Sequence, residues 1–255
     1  MRLCVPVPCF FGRMDFCDAL RRISDLGFDA AETYDWRGLD PDKVRRASGE
    51  TGVEVLSMCT ADFHLTEPER REGWLEGLKR SCDMARKMGV GRLITQVGQD
   101  TGAPRDAQHE SIVTGLRAAA PILEEAGVTL MIEPLNTYVD HPGYYLWSAV
   151  EGAQIVRETG HPLVKLIFDI YHQQVMEGNI IPNITGNLDI IAHLHAAGHP
   201  GRHELQMGES DYRVIFAAVD KAGYTGACGL EYNPTMDPTE SLKLARQLYG
   251  QGASA

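Results

Sequence analysis

Short apolar runs rich in β-formers alternate with longer segments of helical period along the whole chain, and this alternation limits the fold more than any other feature. The runs are LCVPVPCF (3–10), FDAAETY (28–34), VEVLSMCT (53–60), RLITQVG (92–98), VTLMIEP (128–134), VKLIFDI (164–170), IAHLHAA (191–197) and GACGLEY (226–232). Between and after them lie amphipathic stretches at 15–26, 41–51, 70–88, 107–126, 146–159, 172–188, 212–222 and 238–249. Several of these end on a glycine that opens the next run, as in KMGVGRL, EAGVTLM and KAGYTGA. That is the usual end of a helix, since glycine takes the left-handed conformation without a steric penalty. Near-continuous apolar strands are those of a parallel sheet covered by helices. Eight such strand–helix units within 255 residues predict a closed (β/α)8 barrel of one domain, residues 1–255, with a frayed tail from about 250. An open doubly wound sheet would carry a glycine-rich phosphate loop after its first strand. The turn here, CFFGRMD, has a single glycine.

Composition narrows the partners. With 24 Lys and Arg against 35 Asp and Glu, the net charge is −11 and no basic run occurs. Such a surface repels a phosphate backbone, so nucleic acid is not expected as a partner. Six cysteines without a CxxC pair read as reduced thiols in a cytoplasmic protein. No apolar run reaches the length of a bilayer span, so no membrane partner is expected.

In a barrel, the chemistry gathers where the strands end. Strand 2 ends at Glu32, strand 5 at Glu133 and strand 6 at Asp169, with His172 one turn further on. Strand 7 carries His193 and His195, and strand 8 ends at Glu231. Ionisable groups at four successive strand ends are costly to bury without partners. A divalent cation explains them together. Glu133, Asp169, His195 and Glu231 offer three carboxylates and one imidazole, a set suited to Mn²⁺, Mg²⁺ or Co²⁺. Of the two strand-7 histidines, His195 is expected to point into the barrel and His193 to lie under a helix. Asp169 can also cap the helix that follows it. His64, after strand 3, and Glu32 are further candidates for the same pocket, with His64 as a substrate-binding group. Tyr144 is expected mainly in core packing, and Cys59 without a catalytic role.

EPLN, FDIYH, HLHAAGHPGRHE and GLEYNP, in that order, resemble the sugar isomerase and epimerase family of xylose-isomerase-like TIM barrels. Within it, EPLNT, PGYYL, DIYHQQVMEGN, GESDY and EYNP look most like the hydroxypyruvate isomerase group. The resemblance implies that Glu133, Asp169, His195 and Glu231 hold the metal, and that Glu133 and Glu231 also move the proton. It implies His172 and Arg202 as substrate-binding groups, and a dimer or tetramer. One position departs from the group's pattern: His195 stands where its members tend to carry glutamine. The activity implied is metal-dependent aldose–ketose isomerisation of a small hydroxy-keto acid or sugar through a cis-enediolate. Ketose 3-epimerisation uses the same groups and remains open. An inosose-type dehydratase, a phosphodiester-cleaving endonuclease and a non-catalytic binding protein fit less well, the endonuclease because of the acidic charge.

Overall fold

The computed structural model describes residues 1–252. Eight parallel strands close a barrel in sequence order, with β8 returning to pair with β1. They are β1 (Arg2–Pro6), β2 (Ala30–Glu32), β3 (Glu54–Cys59), β4 (Arg92–Thr95), β5 (Thr129–Ile132), β6 (Val164–Asp169), β7 (Ile191–His195) and β8 (Ala227–Gly229). The outer helices are α1 (Val7–Phe11), α2 (Phe16–Asp25), α3 (Pro41–Thr51), α4 (Arg71–Met88), α5 (Arg105–Ala126), α6 (Ala149–Thr159), α7 (Ile170–Met176), α8 (Ile180–Thr185), α9 (Tyr212–Lys221) and α10 (Pro238–Gly252).

Alternation along each strand builds two cores. Leu3 and Val5 pack outward with helix residues such as Leu20, Leu78, Leu116 and Phe216. Cys4 faces inward with Ala30, Leu56 and Ala227, and Ile94, Met131 and Ile167 form a second inner group. The loops are set by local chemistry. Asp15, Asp40 and Asp211 each cap a helix by accepting backbone N–H bonds. Gly127 ends α5 at φ 64°, the left-handed region that its missing Cβ permits.

Three expectations change. The first apolar run leaves the sheet after Pro6, and Val7–Phe11 form a short helix. The segment expected as one helix over 172–188 is two, because Gly178 and Asn179 are both left-handed (φ 64° and 51°). Helix α10 runs to Gly252, so 250–252 are helical, and the remainder of the tail expected to fray lies outside the described residues. Among the described residues all six cysteines are unpaired, and no helix is long and apolar enough to cross a membrane.

Candidate active site

The ends of β5 to β8 are neighbours in the barrel, so their terminal residues meet by topology. Asp169 and His195 are the last residues of β6 and β7 and are paired in register. Glu133 follows β5 directly, and Glu231 stands two residues beyond β8. His195 Nδ1 lies 3.1 Å from Glu231 Oε2 and 3.4 Å from Glu133 Oε1. One ligand-type atom from each of Glu133, Asp169, His172 and Glu231 comes within 4.8 Å of the others. Above them opens a cavity of ≈ 320 Å³ whose walls include Tyr34, Gln96, His141, His172, Arg202 and Glu231.

Asp169 divides its two oxygens between two tasks. Oδ1 caps α7, accepting from the N–H groups of Tyr171 (2.7 Å) and His172 (3.1 Å). Oδ2 is buried and has no hydrogen-bond partner. Glu133 Oε1 and His195 Nδ1 are buried and unpartnered in the same way. Orphaned carboxylate oxygens on Glu133 and Asp169, with the orphaned His195 Nδ1 3.4 Å from Glu133 Oε1, are donors of the kind a hard divalent cation takes; His172, rather than His195, shares the 4.8 Å group with the three carboxylates. The residues present therefore fit such an ion.

The electrostatics point the same way. Burial, with Glu231 adding repulsion, pushes the Asp169 carboxyl up to about 8. Burial also raises Glu133. Burial opposes ionisation of Glu231, yet His195 and Arg202 hold it well below the ordinary carboxylate range. Arg202 Nη2 donates to Glu231 Oε2 at 2.7 Å, and its guanidinium lies 5.3 Å from the Tyr171 ring centre. Arg202 itself has φ 55°, an uncommon conformation for a residue with a Cβ, in the loop after β7.

His172 is met on Nδ1 by two donors from Asn136. Its Nδ1 accepts from the backbone N–H of Asn136 (3.2 Å) and from the Asn136 amide (2.7 Å). A backbone N–H can only donate, so these two shorter contacts favour the proton of the neutral ring on Nε2, 3.6 Å from Asp169 Oδ2; Arg202 Nη2, itself a donor, stands 3.4 Å from Nε2 and makes no hydrogen bond to it in that tautomer. The Asn136 amide is oriented in turn, since its Oδ1 accepts from Val139 and Asp140 N–H. Burial, and then the Arg202 charge, push His172 well below its ordinary value and keep it neutral.

Three placements differ from expectation. His193 is not under a helix: it is fully buried inside the barrel, its Nε2 3.3 Å from Glu32 Oε2. Residues two apart on a strand share a face, so His193 follows His195 inward. His64 turns away, its Nδ1 2.9 Å from Glu67 Oε1, and it borders a separate surface cleft rather than the cavity. Glu32 lies beneath the site, not in the cavity wall. Tyr144 is buried as expected, and its hydroxyl also donates to the carbonyl of Glu133 (2.9 Å) and accepts from Val97 N–H (2.9 Å). Sequence reasoning missed Asn136 and His141. Asn136 had a signal, its place three residues after Glu133 in EPLN; His141 had none.

Residues 20–248 match the family described as the xylose isomerase-like TIM barrel. The chain belongs to that family. Among relatives, it is 29% identical over 253 residues to the hydroxypyruvate isomerase of Escherichia coli (strain K12), spanning 95% of this chain and 97% of that protein. It is 32% identical over 206 residues to the 2-oxo-tetronate isomerase of Cupriavidus necator, spanning 80% of this chain and 75% of that one. A crystal structure described as an AP endonuclease, family 2, from Brucella melitensis superposes with a TM-score of 0.91 at 25% identity, covering 96% of this chain and 98% of the other. In this xylose isomerase-like barrel, then, the fold, the four converging strand ends and the isomerase names of these two relatives agree.

Proposed function

We propose that the chain is a metal-dependent isomerase that moves a proton between adjacent carbons of a small hydroxy-keto acid of the hydroxypyruvate type, through a cis-enediolate. The observation that carries this reading is the pair Glu133 and Glu231. Both approach His195 Nδ1, yet their surroundings drive their proton affinities apart. Two carboxyl groups pushed apart in this way divide into acid and base. Glu231, ionised beside Arg202, takes the proton from carbon. Glu133, raised by burial, carries the proton exchanged with the substrate oxygens. A divalent cation held by Glu133, Asp169, His195 and Glu231 would polarise the substrate carbonyl and acidify the adjacent C–H.

The remaining groups bind and orient. His172 Nε2–H donates to a substrate oxygen, and its neutrality keeps that donor available. Arg202 commits one nitrogen to Glu231. Its other donors are free for the substrate carboxylate, which favours a keto acid over a neutral sugar. The proposal includes a cytoplasmic enzyme with reduced thiols, assembled as a dimer or tetramer.

The test is solvent-proton exchange in D₂O followed by NMR. Substrates are hydroxypyruvate, a four-carbon 2-oxo acid and several ketoses, each with Mg²⁺ and again with chelator. Metal-dependent wash-out beside the carbonyl of an oxo acid, with the aldehyde isomer of hydroxypyruvate or the 3-oxo isomer of the four-carbon acid appearing, is the expected result. Exchange at C3 of a ketose with the carbonyl retained would make the chain an epimerase. No exchange with any substrate refutes the reading.

A further inference from the structure

Beneath the proposed metal site, Glu32, His193 and Ser57, which the mechanism leaves unused, pack against the ligand His195, all four at most 1% exposed. Glu32 is enclosed on every side. Its Oε2 accepts from Ser57 Oγ at 2.6 Å. His195 Nε2 stands 3.3 Å from both carboxylate oxygens, and His193 Nε2 is 3.3 Å from Oε2. The two imidazoles meet edge to face, with centroids 5.2 Å apart at 85°. The opposite edge of the His195 ring carries Nδ1, the orphaned atom that faces Glu133 and Glu231.

We infer that Glu32 is a positioning residue that fixes His195 as a metal ligand through Nδ1. An imidazole nitrogen binds a cation only through its lone pair, so the ring proton must sit on the other nitrogen. A carboxylate against Nε2 keeps the proton there, and it sets the ring plane as well. The sequence makes room for the clamp. A methyl group on Gly229 of β8 would collide with Glu32 Oε1 and stand 2.6 Å from His195 Cδ2. Glycine at that strand position is thus required by the close approach of the pair. His193 Nε2 approaches the same oxygen, Oε2, that Ser57 Oγ and His195 Nε2 meet.

This inference rests on the metal reading above, and the experiment separates the two. Mn²⁺ binding to the full chain is titrated calorimetrically for wild type, Glu32→Ala and Glu32→Gln, with circular dichroism to confirm folding. The expected result is one Mn²⁺ per wild-type chain, affinity lowered ~10–100-fold in Glu32→Ala, and most of it regained in Glu32→Gln, which keeps an acceptor oxygen. A purely structural role for Glu32 would not give that rescue. If wild type binds no divalent ion, the metal reading fails and takes this one with it. If wild type binds and Glu32→Ala binds equally well, the clamp alone is overturned. Two Mn²⁺ per chain would make Glu32, His193 and His195 a second cation site and overturn it too. Should Glu32→Ala not fold, ¹⁵N histidine spectra of Mg²⁺-loaded wild type decide the matter. His195 protonated on Nε2 and bare on Nδ1 supports the clamp, and the reverse tautomer refutes it.

Discussion

Replacing Asp169 by Asn separates what its two oxygens do. Asparagine keeps Oδ1, so both caps on α7 survive, and Asn and Asp are near-equal as N-caps. The change falls on Oδ2, which becomes an amide pointing at the cluster. In metal-free protein the wild-type carboxyl is raised from 3.8 to about 8 by burial and by Glu231. A carboxyl raised on folding binds its proton more tightly in the native state. Its contribution to stability is therefore present at low pH and lost as pH rises from about 4 through about 8, at about 1.4 kcal/mol per tenfold change in proton affinity. Asparagine has no such proton to lose. It leaves an unpaired amide instead, at a cost of ~1–3 kcal/mol. Metal-free Asp169→Asn should then be more stable than wild type at pH 8, by about 2–4 kcal/mol, with the advantage gone near pH 5. Affinity for Mn²⁺ should fall by more than ~100-fold, about 3 kcal/mol, because an anionic ligand is lost. Chelator-treated samples unfolded in urea at the two pH values measure the first quantity, and calorimetric Mn²⁺ titration the second. A variant less stable than wild type at pH 8, or one that binds Mn²⁺ undiminished, would refute the division of labour.

Arg202→Lys keeps the charge but loses the planar fork, so KM for an oxo acid should rise ~10–100-fold with a smaller change for a neutral ketose, read from steady-state kinetics. Tyr144→Phe leaves the Val97 N–H and one bond to the Glu133 carbonyl unmade, and chemical denaturation should show a loss of about 1–3 kcal/mol. His172 is held below 6.5 by burial and Arg202, so the unfolded chain binds its proton first and stability falls as pH drops below 6.5. His172→Asn should make the urea midpoint less sensitive between pH 7 and pH 5, and an unchanged pH slope would contradict a neutral His172.

Much of the architecture was legible because its signals are local. A strand-like run followed by a helical period repeats eight times, and the closed sheet follows in that order. Helix α3 begins at Pro41 and ends at Thr51 as expected, with Asp40 capping it and Gly52 left-handed beyond it. The errors also have local causes. LCVPVPCF is apolar throughout, and period alone cannot tell its strand from the helical turn at Val7–Phe11. His193 is a different case. Strand alternation itself requires a residue two before His195 to share its face, so the expectation of His193 under a helix fails on the rule that governs the strand. His64 stands next to Phe63, which does line the cavity, but its ring contacts Glu67 and borders a separate surface cleft.

The sequence by itself determined the barrel and which strand ends carry carboxylates and imidazoles, because periodicity and chain order are properties of the covalent chain. Only the tertiary structure decided what those groups are like once assembled. Asn136 donates twice to His172 Nδ1, Glu32 meets His195 from 163 positions away, and His195 and Arg202 lower Glu231 while burial and the Glu231 charge raise Glu133. Ring orientation and proton affinity depend on the partners and the dielectric around a side chain, and those are fixed by residues distant in sequence that only the closed barrel brings within hydrogen-bond reach.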